Sequence, residues 1–131
     1  MDSGQRHQEL RERTETFALR IIRLYRALPR DTEAQVIGKQ LLRSGTSVGA
    51  NYCAAGRGRS KREFISKIGV VVEEADETAF WLRLLLKSSI VPAQRLQPLL
   101  DEANQLLAIF AASLSTARRR LAKTTAASEL R

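Results

Sequence analysis

The densest cluster of groups able to do chemistry is acidic: Glu73, Glu74, Asp76 and Glu77 fall within five consecutive positions. Carboxylates this close could hold a divalent metal or share a proton. On a helix, Glu73 shares a face with Asp76 and Glu77, and Glu74 with Glu77. No Glu-x-x-His ligand set accompanies them, as the di-metal centres of helix bundles require. Their expected role is to meet arginines of a neighbouring subunit. His7 is the only histidine and falls in a lead expected to be disordered, which leaves imidazole acid–base or triad chemistry without a base. Cys53, the only cysteine, lies among small residues and reads as a packed thiol rather than a nucleophile. Gly56-Arg57-Gly58 lacks the lysine–serine ending and the preceding strand of a phosphate loop. No catalytic residue, metal ligand or cofactor is expected, and the chain reads as a non-enzyme.

The cations carry a stronger signal. The net charge is +8, and it is segregated. Residues 32–62 hold six cations against one anion, and residues 118–131 hold five against one. Residues 63–88 are net acidic, with three against five. A solvated face would spread its charge; this partition favours a polyanionic partner. Lys39, Arg43 and Arg57 fall on the outer side of one helical segment and run into Arg59, Lys61 and Arg62 at a helix start. Guanidinium groups and free backbone N–H groups together suit phosphate there. Arg118, Arg119, Arg120 and Lys123 form a second cluster. It is expected at the opposite pole, so that two basic poles or one long basic flank remain open.

Four helices must position these groups. Phe17, Ile21, Leu24 and Leu28 recur at helical spacing over about residues 8–28, and Pro29 stops the run. Ile37, Leu41, Ser44, Val48, Asn51 and Ala55 mark a second helix over 32–55, with Asp31 or Thr32 as N-cap. Ser60 and Glu63 form a capping box for a third helix over 61–88. Its stripe of Phe64, Ile68, Val71, Ala75, Thr78, Leu82 and Leu85 alternates steps of four and three, the seam of an antiparallel bundle. The fourth, over about 95–122, begins at Pro92 or Pro98, either in a first turn, and runs on Leu99, Ala103, Leu106, Phe110, Leu114, Ala117 and Leu121. Frayed termini are expected beyond. With short connectors and no strand-like alternation, the fold class is all-α: an antiparallel up-down four-helix bundle of 131 residues in one domain. No apolar stretch reaches the ~18 residues of a membrane span. No signal-peptide core is present, and a lone cysteine fits a reducing compartment, so a cytoplasmic protein is expected.

Two faces exceed what a solitary bundle needs. Gly38, Gly45, Gly49 and Gly56 line the second helix with Tyr52 beside them. They permit close approach either of a helix in the same bundle or of another subunit. On the third helix Val70, Phe80 and Leu84, flanked by Trp81, form an apolar face away from the seam. The combined expectation is a homo-oligomer with Gly45, Gly49, Tyr52, Val70, Phe80, Trp81 and Leu84 in its interface.

Three runs carry a family resemblance: Arg43-Ser44-Gly45-Thr46-Ser47-Val48-Gly49-Ala50-Asn51-Tyr52-Cys53, Ser60-Lys61-Arg62-Glu63-Phe64-Ile65, and Glu73-Glu74-Ala75-Asp76-Glu77-Thr78 through Trp81-Leu82. With them the chain, over about residues 17–120, resembles the four-helix bundle proteins encoded in intervening sequences of bacterial 23S rRNA genes. It is similar also to the accessory variability proteins of diversity-generating retroelements. The resemblance implies a homopentameric barrel of bundles with a basic exterior. For the retroelement branch it also implies nucleic-acid binding and partnership with a reverse transcriptase. Arg43, Ser44, Ser47 and Asn51 match the motif, whereas Cys53-Ala54-Ala55 stands where many relatives carry Arg or Glu. Ser44, Ser47 and Asn51 are expected to hydrogen-bond across helices and fix register.

The leading expectation is an oligomeric protein that binds RNA or DNA through phosphate contacts without base readout, since few exposed aromatics are available for stacking. The alternative is a scaffold whose basic face docks an acidic or nucleic-acid-handling protein.

Overall fold

The computed structural model describes residues 3–130, and its helices are α1 (Ser3–Ala27), α2 (Thr32–Ala55), α3 (Lys61–Lys87) and α4 (Ala93–Glu129). Each helix packs on the next in chain order, α1 also packs on α4, and the backbones of the diagonal pairs stay apart. The result is the expected up-down four-helix bundle. The most extensive seams are α2–α3 and α3–α4, and α1–α4 is the slightest.

Local chemistry sets the ends. Leu28 and Pro29 close α1, since proline cannot continue the hydrogen-bond ladder. Ser60 caps α3: its Oγ accepts from the N–H of Glu63 at 3.1 Å, while Glu63 Oε2 accepts from the N–H of Arg59 at 3.3 Å. Asp31 precedes α2 without a side-chain cap bond. After α3, Ser89 turns the chain in the left-handed region at φ 61°, where glycine is the usual residue. Pro92 precedes α4, and Pro98 is its sixth residue rather than part of a first turn. The N–H that Pro98 lacks leaves the carbonyl of exposed Gln94 to water.

The stripes become the core. Ile68, Val71, Ala75, Thr78, Leu82 and Leu85 on α3 are fully buried or nearly so, against Leu41 and Val48 of α2 and Leu96, Leu106 and Phe110 of α4. Each large aliphatic among them contributes about 1.5–3 kcal/mol relative to exposure. Thr14 and Ser44 are buried polar residues that satisfy themselves on their own helices, Thr14 on the carbonyl of Arg11 and Ser44 on that of Leu41.

α1 begins earlier than the stripe from Phe17 suggests. His7, Leu10 and Thr14 continue the alternation backwards, and all three lie inside the helix. His7 is therefore ordered, a correction to the disordered lead. α4 also overruns its expected end at 122. Its 37 residues span about 55 Å, against about 40 Å for the 27 residues of α3. Burial in α4 stops at Leu114, so the expected fraying past Ala122 gives way to an overhanging, exposed helix.

The glycine stripe faces inward. A Cβ on Gly38 would meet Leu28 Cδ1 at 2.6 Å, one on Gly45 would meet Ile21 Cγ1 at 2.9 Å, and one on Gly49 would meet Thr14 Oγ1 at 3.1 Å. Thr14 and Ile21 on α1 and Leu28 just past its end are spaced by seven residues and drop into these three notches. Of the two readings of the stripe, close approach within the bundle is the one observed.

Candidate nucleic-acid interface

In an up-down bundle the start of α1, the turn between α2 and α3, and the end of α4 share one pole. This corrects the placement of Arg118, Arg119, Arg120 and Lys123 at the opposite end. The lining of one groove confirms the convergence: it takes Ser3, Arg6 and His7 from α1, Tyr52 from α2, Phe64 from α3 and Arg120 from α4. Arg57, Arg59, Lys61 and Arg62 are exposed on the α2–α3 turn, and Arg118, Arg119, Arg120 and Lys123 are exposed on the overhang of α4. Arg6 and Arg11, which the charge pattern alone did not single out, add to the same pole from α1. Glu63, in the first turn of α3, is a local anion, but the pole remains strongly cationic.

Two of the expected phosphate contacts are not brought here. Lys39 is exposed but lies about 24 Å short of the C-terminal end of α2. Arg43, midway along α2, is engaged. Its guanidinium donates to Glu74 at 3.2 Å and to Glu77 across the α2–α3 seam. The hydrogen bond to Glu77 raises the Arg43 pKa, and the same bond holds the Glu77 carboxyl below its ordinary range. Glu74 and Glu77 thus pair with the chain's own Arg43, whose guanidinium is engaged in this ion pair rather than free. Ser47 and Asn51 also stay local: Ser47 donates to the carbonyl of Arg43 at 2.7 Å and Asn51 to that of Ser47 at 2.9 Å. With Ser44 bonded to Leu41, none of the three bridges helices, which corrects the expected register lock.

The groove at the pole lies between the first half of α1 and the second half of α4 and has a volume of about 740 Å³. Leu10, Ile109 and Phe64 form its apolar lining; Arg6, Glu9 and Arg120 stand among its polar residues. It ends where Arg13 clasps α4, Nε to Glu102 Oε2 at 2.8 Å, Nη2 to Glu102 Oε1 at 2.7 Å and Nη2 to Gln105 at 2.8 Å. The bidentate bond to Glu102 raises the Arg13 pKa. In the wall of the groove, His7 Nδ1 and the Tyr52 hydroxyl share a 2.9 Å hydrogen bond, and the Tyr52 ring packs on Phe110 at 5.0 Å between centroids. Burial raises the Tyr52 pKa. A smaller hollow of about 340 Å³ adjoins it, sharing His7 and Phe64 and lined also by Arg11, Ala55, Gly56 and Gly58.

The expected interface residues divide. Gly45, Gly49 and Tyr52 face the interior of the bundle, so their assignment to an oligomer surface is corrected. The α3 set is on the surface. Phe80 is 42% exposed, and Val70, Trp81 and Leu84 are half-buried. Trp81 stacks at a tilt on Phe80 and donates from Nε1 to Glu77 at 3.2 Å. Val36, 57% exposed on α2, lies one heptad from Arg43, as Trp81 and Leu84 lie one heptad from Glu74 and Glu77. It thus extends the same apolar surface, a member that the sequence pattern hid because it sits outside the stripe of its own helix.

No helix is long and apolar enough to cross a membrane among the described residues. The family model described as 23S rRNA-intervening sequence protein matches residues 6–112. Among solved structures, the chain is similar to a protein of unknown function from the S23 ribosomal protein family of Bacteroides thetaiotaomicron VPI-5482. The two are 29% identical with a TM-score of 0.77, over 83% of this chain and 97% of that one. A comparison with curated proteins finds no match.

Proposed function

The chain belongs to the 23S rRNA-intervening sequence protein family, and from that premise we propose that it is a non-enzymatic, homo-oligomeric protein that binds structured RNA through its basic pole. One observation carries the reading: three stretches remote in sequence, at the start of α1, the α2–α3 turn and the overhang of α4, bring their cations to one end of the bundle. Point charges on flexible stems and guanidinium forks suit a phosphate backbone. The α3 N-terminus lends its dipole to the same end. Self-association is supported by the exposed Val36 and Phe80 with half-buried Trp81 and Leu84 beside them, an apolar grouping of the kind found at protein–protein contacts. The pentameric state implied by the family resemblance, and a reverse transcriptase as partner, are part of this proposal.

The test is RNA affinity as a function of salt. Binding to a structured RNA should fall steeply from low to physiological salt. Reversing charge at Arg57, Arg59, Lys61 and Arg62 should flatten the log–log slope by about 0.7–0.9 for each phosphate left without its cation. Light scattering of that variant should give an unchanged oligomer. Affinity that barely responds to salt would overturn the phosphate mechanism. Purification without RNA, but in a stable complex with one acidic protein, would favour the scaffold reading instead.

A further inference from the structure

The cavities at the basic pole have a chemistry that a phosphate-binding surface does not require. The groove between α1 and α4 has apolar walls from Leu10 and Ile109, yet Ser113 and Thr116 bring hydroxyls and His7 an imidazole into the same space. His7 Nδ1 already shares a hydrogen bond with the Tyr52 hydroxyl, and Thr116 Oγ1 accepts from Arg119, yet the imidazole and the hydroxyls keep further hydrogen-bonding capacity beside the apolar walls. A flat heterocycle with polar edges would use both kinds of lining. The volume, about 740 Å³, is in the range of sites that take a small planar ligand.

The adjoining hollow supplies what such a heterocycle carries with it. Its wall is the Gly56–Gly58 turn, where a Cβ on Gly58 would crowd the Ala55 carbonyl at 3.2 Å and the Phe64 N–H at 3.3 Å. A Cβ on Gly56 would come within 3.9 Å of Arg11 Nη1, so side chains here would narrow the hollow that Arg11 faces. The N–H groups of Gly56, Arg57 and Gly58 donate to the carbonyls of Tyr52, Ala54 and Ala55, so the phosphate donor here is the Arg11 guanidinium, which donates to Gln8 and keeps further N–H groups for a ligand. His7 and Phe64 line both spaces, so one ligand reaching past them would set a ring in the groove and a phosphate by Arg11.

We infer that the paired cavities at the basic pole bind one unstacked nucleotide at the single-stranded end of an RNA, with the base in the α1–α4 groove and its phosphate beside Arg11 and the glycine turn. The inference rests on the proposed binding of RNA at this pole and adds to it a preference for unpaired ends. Phosphate contacts alone would not discriminate a blunt duplex from one with an overhang.

The experiment compares a blunt RNA duplex with the same duplex bearing a short unpaired 3′ extension, by fluorescence anisotropy on the full chain. The extended duplex should bind on the order of tenfold more tightly, within the contribution of one stacked base. Ala112→Trp should abolish that preference and leave blunt-duplex binding unchanged, since Ala112 is exposed and lines the groove. A photoreactive base at the end of the extension should crosslink to residues 3–10 or 109–120 of the unaltered protein, a measurement independent of whether the variant folds. Equal affinity for the two duplexes, or crosslinks confined to the α2–α3 turn, would overturn the inference while leaving salt-dependent binding at the pole in place. Failure of both duplexes to bind would overturn the inference together with the RNA-binding reading.

Discussion

Gly45→Ala adds one methyl group at the closest notch between α1 and α2 that a β-branched side chain fills. The new Cβ would lie 2.9 Å from Ile21 Cγ1, 3.0 Å from Cγ2 and 3.3 Å from Cβ. All three are near the backbone of a residue with no exposed surface and a χ1 restricted by branching, so the clash cannot be relieved by swinging a flexible end. Overpacking of this kind costs about 1–3 kcal/mol. Alanine in place of glycine also stabilises a helix by about 1 kcal/mol, so the net effect lies between neutral and a loss of about 2 kcal/mol. Gly69→Ala isolates the two contributions. Gly69 is in the middle of α3 with nothing within 4 Å of its would-be Cβ, so that variant should gain the helical propensity alone. The stability difference between the two variants should therefore be about 1–3 kcal/mol. Urea unfolding at fixed protein concentration measures it as a separation in midpoint with unchanged m. If Gly45→Ala stabilises as much as Gly69→Ala, Ile21 is not seated on Gly45, and the placement of α1 against the glycine stripe is wrong.

Three further outcomes concern the α3 cap, the Arg43 pair and the exposed apolar face. Ser60→Ala should cost about 1 kcal/mol through the missing cap on α3, read by thermal unfolding, and a Ser60→Asp replacement should recover most of it. Glu77 is held below its ordinary value of 4.5, chiefly by the hydrogen bond from Arg43 with that from Trp81 adding to it. The ionised form is thus the one the fold favours: its contribution is complete above the unfolded value and disappears as pH falls through the lower folded one. Glu77→Gln should therefore destabilise at neutral pH by at most about 1 kcal/mol, since the pair is partly exposed, and match the parent once the pH is below the folded value. Phe80→Glu should dissociate the oligomer in light scattering while circular dichroism keeps its helical signal; an unchanged oligomer would remove α3 from the interface.

The bundle was legible because its stripes are local and periodic: the α3 run from Ile68 to Leu85 needs only its own spacing to be read. The first turns of α1 were less so, although His7, Leu10 and Thr14 keep the alternation, because two of the three are polar and burial of a polar residue is decided by partners elsewhere. His7 is satisfied by Tyr52, forty-five positions away, and no local pattern encodes that bond. Ser47 and Asn51 failed as cross-helix bonds for a related reason, since the carbonyl one turn back is always within reach of such side chains. The glycine stripe was visible, but a missing side chain does not say which helix fills the space. The position of the α4 cations at the α2–α3 pole follows from helix directions alone in an up-down bundle. The overhang itself was hidden because its Ala, Thr and cationic residues offer no buried stripe to extend.

The seams of the bundle also bear on how it forms. The extensive ones join helices consecutive in the chain, and the single seam between the first and last helices is the slightest. Seams of this kind close short loops before long ones, which places the chain among fast-folding topologies. The α2–α3 hairpin, with the largest seam and the Arg43–Glu74–Glu77 cluster across it, is the expected nucleus, with α4 and α1 added to its flanks. The Arg13–Glu102 clasp then closes last. Removing it should speed unfolding and leave the folding rate nearly untouched, so the ion pair at the edge of the groove governs the lifetime of the closed bundle more than the ease of making it.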